Sequence, residues 1–252
     1  MIVINRNGEQ ETFEQKKIST FLKRAIQFKP SLDTIDVSKI VKQVNKGIAD
    51  NMNTDEIGAY IAEVASSYST ESHEYGVLAG RIEVMALHNN TPATFTEAMH
   101  RLKDILSEEF MNKVNAFEFS GYVNHHNDYK YDIIGLRTLK RSYLLKDNMG
   151  IVERPQYMLM RVAVYLSDSS EQAISLYNTI SEGWYTHASP TLFNCGMKQS
   201  QLASCFLMSM KHDSIHGIYE TLQDVALISK SAGGIGISVS NVRAKGTPIK
   251  GT

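Results

Sequence analysis

Between Ala203 and Ser238 the chain reads as a strand, a helix and a second strand, and the order of these pieces limits the architectures open to it. The alternation in Ala203-Ser204-Cys205-Phe206-Leu207 fits a short strand whose successive side chains face opposite ways. Between Asp213 and Lys230, Ile215, Ile218, Leu222, Val225 and Ile228 fall on one side of a helix, a stripe suited to a partner helix. Gly233 and Gly234 follow, opening the run GGIGIS. Since these glycines close a helix and lead into a strand, they reverse the order of a dinucleotide-binding fingerprint, whose glycines close a strand and open a helix. A nicotinamide-type Rossmann reading is thereby set aside.

The rest of the chain is mainly helical. The start predicts a hairpin: Ile2-Val3-Ile4, a turn at Asn7-Gly8, and Glu11-Thr12-Phe13 returning. Ile18, Phe21, Leu22, Ala25 and Ile26 recur at helical spacing until Pro30, and Ile40, Val41, Val44 and Ile48 mark a second helix. A third opens at Asn53, whose side chain can cap it while Glu56 reaches back. A fourth covers roughly Tyr75 to His88. Beyond Thr91 the pattern stays helical, with a hairpin expected from Tyr143-Leu144-Leu145 through Asn148 and Gly150 to Ile151-Val152. Pro155 suits the first turn of a helix bearing Met158, Val162 and Leu166, whose methionines read as core. Pattern changes, together with the family resemblance given below, place boundaries near residues 90 and 168, giving units 1–90, 91–168 and 169–252.

Composition narrows the function. With 26 basic and 27 acidic residues, the 252-residue chain has no basic footprint for nucleic acid. No apolar run reaches the roughly 18 residues of a membrane span, and MIVINRNGEQ is neither a signal nor a transit peptide, so a cytoplasmic location is expected. The two cysteines, Cys195 and Cys205, fit neither a zinc ribbon nor a C-x-x-C pair. His125 and His126 are read as loop residues, and no metal site is expected.

Three segments, THASPTLFNCG, QLASCFLMSM and DSIHGIYETLQDVALISKSAGGIGISVSNVRAKGTPIKGT, together resemble the large catalytic subunit of class I ribonucleotide reductase. GLRTLKRSYLLK and ERPQYMLMRVAV look like that family's N-terminal helical region, and VINRNGEQETFEQKKI resembles its regulatory ATP-cone. The implied fold class is α+β and predominantly helical: a cone-like hairpin with helices, a helical domain, and the beginning of a ten-stranded α/β barrel. The implied chemistry is radical-based reduction of a ribonucleoside diphosphate. A thiyl radical removes the 3′-hydrogen, and a pair of thiols supplies electrons as the 2′-hydroxyl leaves as water.

By this resemblance Cys205 is one of the reducing thiols, and Ser189, Ser204 and Gly234 contact substrate. Cys195 has no role. Asp213, Ser214 and Ile215, with Lys230, Arg243, Ile249, Lys250 and Gly251, match the site where a dNTP effector selects which base is reduced. In the cone, Asn5, Arg6, Glu11, Lys17 and Thr54 stand at nucleotide-contact positions for ATP or dATP. Three positions depart from the family pattern: Asn5 and Asn89 replace lysines, and Gly58 replaces an acidic or histidine side chain. Each lost ammonium removes a charge-assisted contact of about 1.5–3 kcal/mol. The cone is therefore either a working nucleotide switch or a structural cap.

The implied partners are a second large subunit, a radical-generating small subunit, and thioredoxin or glutaredoxin as reductant. The radical-bearing cysteine and the second reducing thiol would lie beyond Thr252, so the chain alone is not expected to turn over. It is expected to be a fragment of a longer subunit or one half of a split enzyme. A competing reading, of a different class, is a non-catalytic nucleotide-sensing or assembly module.

Overall fold

The computed structural model of the chain describes residues 2–5, 7–231 and 233–248. Strands β1 (Ile2–Ile4) and β2 (Gln10–Thr12) form the predicted antiparallel hairpin, with Ile2 opposite Thr12. Its loop holds Gly8 at a φ of 82°, a conformation that costs a residue without a β-carbon nothing. A third strand, β3 (Met52–Asn53), adds in parallel to the other edge of β1. Two residues cannot display alternation, so this strand leaves no periodic trace in the sequence.

Helices α1 (Gln15–Ile26), α2 (Val37–Gly47), α3 (Thr54–Ser67) and α4 (His73–Asn89) follow. The predicted capping box opens α3: Asn53 Oδ1 accepts from the Glu56 amide at 2.8 Å, and Glu56 Oε2 accepts from the Asn53 amide at 2.9 Å. Their apolar stripes meet in one core through Leu22, Ile40, Val44, Ile61 and Leu78.

Helix α4 serves two cores. Leu78, Ala79 and Ile82 belong to the first, while Val84 and Leu87 belong to the second. Gly80 is the point of closest approach, since a β-carbon there would collide with the carbonyl of Tyr131 and the backbone of Asp132. The next residue, the fully buried Arg81, donates to the carbonyls of Ala25, Ile26, Pro30 and Tyr129. Two of these are carbonyls at the C-terminal end of α1 that lack intrahelical partners, and a guanidinium satisfies them while opposing the helix dipole.

The second core gathers α5 (Phe95–Arg101), α6 (Glu108–Ala116), α7 (Ile133–Ser142), α8 (Pro155–Leu166), α9 (Ser170–Glu182) and α10 (Ser189–Asn194). The methionines of α8 are buried in it as expected. Packing does not change at residue 168, where the sequence reading sets a boundary. Ala173, Tyr177, Leu192 and Cys195 all continue the same core. The expected hairpin is also shorter and displaced, with β4 (Lys146–Asp147) pairing antiparallel with β5 (Gly150–Ile151). Helix α7 runs far enough that Tyr143 becomes its C-cap and Leu144 turns into the core. Asp147, rather than Asn148, closes the turn by accepting from the amides of Met149 and Gly150.

The last unit is β6 (Cys205–Ser209), α11 (Ile215–Lys230) and β7 (Gly234–Ser238), with the strands parallel and in register, Cys205 opposite Gly234. One face of β6 packs Phe206 toward α11, and the other leaves Leu207 94% exposed. No helix among the described residues is long and apolar enough to cross a membrane.

Candidate functional sites

Cys205 begins β6 on its open face and is exposed, whereas Cys195 is fully buried. Burial pushes the Cys195 thiol up to about 11 despite nearby Arg161, which leaves it a small hydrophobe. Around Cys205 the backbone is tightly constrained. The Gly234 amide donates to the Ser204 carbonyl at 2.8 Å, and a β-carbon on Gly234 would lie 3.3 Å from that carbonyl and 4.0 Å from the cysteine sulfur. Gly234 therefore keeps the space beside the sulfur clear. The Ser204 hydroxyl donates to Cys205 Sγ at 3.6 Å. Gly233 does more than end α11: a β-carbon there would sit 2.8 Å from both Ile228 and the ring of Phe206.

Ser189 heads α10, its hydroxyl 2.9 Å from that of Tyr143. The loop behind it is pinned by a buried ion pair. Arg161 donates through Nε to Glu153 Oε1 at 2.6 Å, and through its Nη atoms to the carbonyls of Cys195 and Leu192. Both charged residues are completely buried, and Glu153 also accepts from the Leu145 amide. The pair thus joins α8, the β4–β5 hairpin and the end of α10. Thr191 Oγ1 donates to the carbonyl of Leu202, just before the cysteine strand.

At the start of α11 the cap is Ser214, which accepts from the Gly217 amide, and not Asp213. Asp213 instead accepts from Arg243 Nε at 2.6 Å and from the Arg243 amide, tying the loop after β7 to the head of α11. This bond holds the Asp213 carboxyl below its usual range. Ile215, Ile218 and Leu222 are exposed, while Val225 and Ile228 are half-buried. Lys230 is exposed at the far end of the helix. Ile249, Lys250 and Gly251 lie outside the described residues, as does Arg6 in the cone.

The cone holds a cavity of about 490 Å³ between the hairpin, α1, α3 and the end of α4. Glu11, Lys17 and Thr54 line it, and so do Gly58 and Asn89. Asn5 is not among its lining residues. Its side chain is spent inside the hairpin loop, accepting from the amides of Asn7 and Glu9 and donating to the Glu9 carboxylate. Lys17 Nζ lies 3.2 Å from Glu11 and 3.7 Å from Glu14, and the bond it donates to Glu11 raises the lysine above its ordinary value. Thr54 Oγ1 donates to the Ile4 carbonyl.

Beyond His88, which lines the cavity, lies a network that the sequence reading missed. His125 and His126 are not loop residues. They open a 3-10 helix, His125–Lys130, and His125 approaches His88 of α4 and the fully buried Asp128. Asp128 is 2.7 Å from His88 Nε2 and accepts from the Gln156 amide at the head of α8. The three potential ligand atoms lie within 4.8 Å of one another, a spacing a cation could use. Arg154 also reaches this cluster. Its Nη1 donates to His125 Nδ1 at 3.3 Å, so that nitrogen is an acceptor, the proton sits on Nε2, and a guanidinium charge stands beside the cluster. Burial, Arg154 and His88 together pull the His125 pKa down to about 4, keeping the ring neutral.

A hairpin-and-helix cap with a cavity, a helical core, and a cysteine strand paired in parallel with a glycine-rich strand thus follow one another along the chain. Family models agree along the chain: the ATP cone domain matches residues 1–90, the ribonucleotide reductase all-alpha domain 129–200, and the ribonucleotide reductase barrel domain 203–252. Similar proteins include the ribonucleoside-diphosphate reductase large subunits of Variola virus (44% identical), Danio rerio (42%) and Arabidopsis thaliana (41%). Each alignment covers 100% of this chain and 34%, 33% and 32% of the respective relative, so the chain spans about a third of their length. The chain belongs to the ribonucleotide reductase large-subunit family, and its ATP-cone domain is of a kind that binds nucleotide effectors.

Proposed function

We propose that this chain supplies the effector-responsive N-terminal part and one reducing thiol of a class I ribonucleoside-diphosphate reductase. The observation that carries this reading is Cys205: exposed on the open face of β6, with a hydroxyl beside it at Ser204 and no side chain opposite it at Gly234. In the reaction, two thiols, Cys205 and a second cysteine from the remainder of the subunit, give two electrons and two protons. The substrate's 2′-hydroxyl leaves as water, a hydrogen takes its place, and the two sulfurs join as a disulfide. Thioredoxin or glutaredoxin restores the thiols. A strand-held sulfur suits this work because rigid placement supplies much of the rate.

In this reading Ser189, Ser204 and Gly234 contact the diphosphate substrate, and the exposed stripe of α11 pairs two large subunits. Asp213, Ser214, Ile215, Lys230 and Arg243, completed by Ile249, Lys250 and Gly251, form the dNTP specificity site. Asp213 and Arg243, bonded to each other here, would open to a deoxyribose hydroxyl and a phosphate. A small subunit supplies the radical, and the location is cytoplasmic. The test is reduction of CDP by the complete subunit with its small subunit and thioredoxin. Cys205→Ser is expected to abolish multiple turnover while Cys195→Ser retains it. Full turnover in the Cys205 variant would overturn the assignment. Effector-dependent dimerisation with no reduction at all would favour a regulatory module instead.

A further inference from the structure

The Ser189 hydroxyl meets a partner whose position is fixed from two sides. Its Oγ lies 2.9 Å from the Oη of Tyr143, the C-cap of α7. Phe193, four residues after Ser189 and so on the same face of α10, packs its ring against that of Tyr143 with the centroids 4.6 Å apart. The contact thus has an apolar half that seats the phenol ring and a polar half that meets the serine.

A single buried ion pair holds the backbone on both sides of this contact. Glu153 accepts from the amide of Leu145, two residues beyond Tyr143. Its partner Arg161 donates to the carbonyl of Leu192, three residues beyond Ser189. Leu144 and Leu192 are both buried in the surrounding core. Farther back, α7 is tied to α3 and α4, where Arg137 donates to Glu63 and Glu83, and Lys140 to Glu83. The phenol and the serine are therefore held in register by groups outside the site, as a preorganised binding contact requires.

The direction of the bond gives it a use. A serine hydroxyl carries one proton and turns it to suit its surroundings, and a tyrosine hydroxyl can donate or accept. A diphosphate oxygen accepts and never donates, so a serine that binds one must point its proton there. When the phenol donates to Ser189 Oγ, it fills a lone pair of that oxygen and leaves the serine proton facing away from Tyr143.

Resting on the reading of Ser189 as a substrate contact, we propose that Tyr143 is a positioning residue for the diphosphate substrate: its O–H donates to Ser189 Oγ and directs the serine proton toward a phosphate oxygen. Tyr143 acts through Ser189 alone and does not itself touch the substrate.

The test is a double-mutant cycle in the complete subunit, assayed for CDP reduction with its small subunit and thioredoxin. Ser189→Ala should raise KM for CDP about tenfold, through loss of a hydrogen bond to a charged group. Tyr143→Phe keeps the ring on Phe193 and should raise KM about three- to fivefold with kcat within about twofold, the signature of lost substrate binding. The double variant should match Ser189→Ala, because the phenol has no hydroxyl left to orient. An unchanged KM in Tyr143→Phe beside a raised KM in Ser189→Ala would overturn the proposal and leave Ser189 as a substrate contact. Effects that multiply in the double variant would also overturn it, since Tyr143 would then act elsewhere. An unchanged KM in Ser189→Ala would overturn the reading of Ser189, and the proposal with it.

Discussion

The helical core around α8 and the strand–helix–strand unit around Cys205 are built on opposite terms. In the first, almost every side chain of α8 is buried, and even a full ion pair, Arg161 with Glu153, is closed off from water with its hydrogen bonds satisfied. In the second, only Gly217 and Thr221 of α11 are buried, and β6 turns Cys205 and Leu207 outward. The core gains its order from packing that is already complete. The cysteine unit gets its local geometry from backbone register and glycine clearance, and leaves the face bearing Cys205 and Leu207 uncovered. Under the proposed function the two serve together, a closed body for anchorage and an open strand for contact.

That contrast breaks most readily at the buried pair. Arg161→Leu leaves Glu153 as an uncompensated buried charge and frees the carbonyls of Leu192 and Cys195, which should cost about 3–5 kcal/mol. Denaturant unfolding would read this loss, and a change under about 1 kcal/mol would show the core to be less closed than described. Glycine substitutions sharpen the comparison because the same methyl is added in both regions. Gly80→Ala drives a β-carbon into the backbone of residues 131 and 132 and should cost about 2–3 kcal/mol. Gly233→Ala meets the ends of Ile228 and Phe206, half-buried side chains that can give way, so about 1 kcal/mol is expected. Equal losses in the two variants would contradict the distinction.

The sequence made the local parts of this molecule readable and hid the parts that depend on distant neighbours. The hairpin, the four cone helices, the Asn53 capping box, the Pro155 start of α8 and the strand bearing Cys205 all follow from residues within a few positions of each other. Strand β3 escaped because it is two residues long and pairs across nearly fifty residues of chain. The His88–Asp128 contact joins α4 to the 3-10 helix at residues 125–130, and Arg161–Glu153 draws its meaning from the end of α10. Neither relation leaves a spacing to detect. A polar stretch holding two histidines and an aspartate, next to a helix rich in buried residues, was the available clue to the first. Asp213 shows the reverse limit: its position before a helix suggests a cap, yet Ser214 takes that role and frees the carboxylate for Arg243.

The two thiols carry the same contrast into chemistry. At pH 8 a thiol raised to about 11 is ionised at about one part in a thousand, and Cys195 is shielded besides. Alkylation followed by peptide mass analysis should label Cys205 fully before Cys195 is detectable, and denaturant should erase the difference. Labelling of Cys195 in the native chain at a comparable rate would mean that the core opens where it is described as sealed.

Acid should reach the two regions differently as well. His125 is an imidazole held neutral in the folded chain down to about pH 4, against an ordinary value near 6.5, so its contribution to stability is full above pH 6.5 and is lost as pH falls toward 4. Asp128, whose carboxyl burial holds above its usual range, acts in the opposite sense, so the useful quantity is the difference between the parent and His125→Phe. The variant should lose the part of the acid destabilisation that develops between pH 6.5 and 4. Asp213, held below the usual carboxylate range by Arg243, contributes above that range and loses its contribution only as pH falls through the lowered value. Because that pair is exposed, the expected result is local, namely faster amide exchange at Arg243, whose N–H donates to Asp213, with little change in global melting. Global unfolding triggered by Asp213→Asn would mean that the open unit holds the core together, the reverse of the dependence described here.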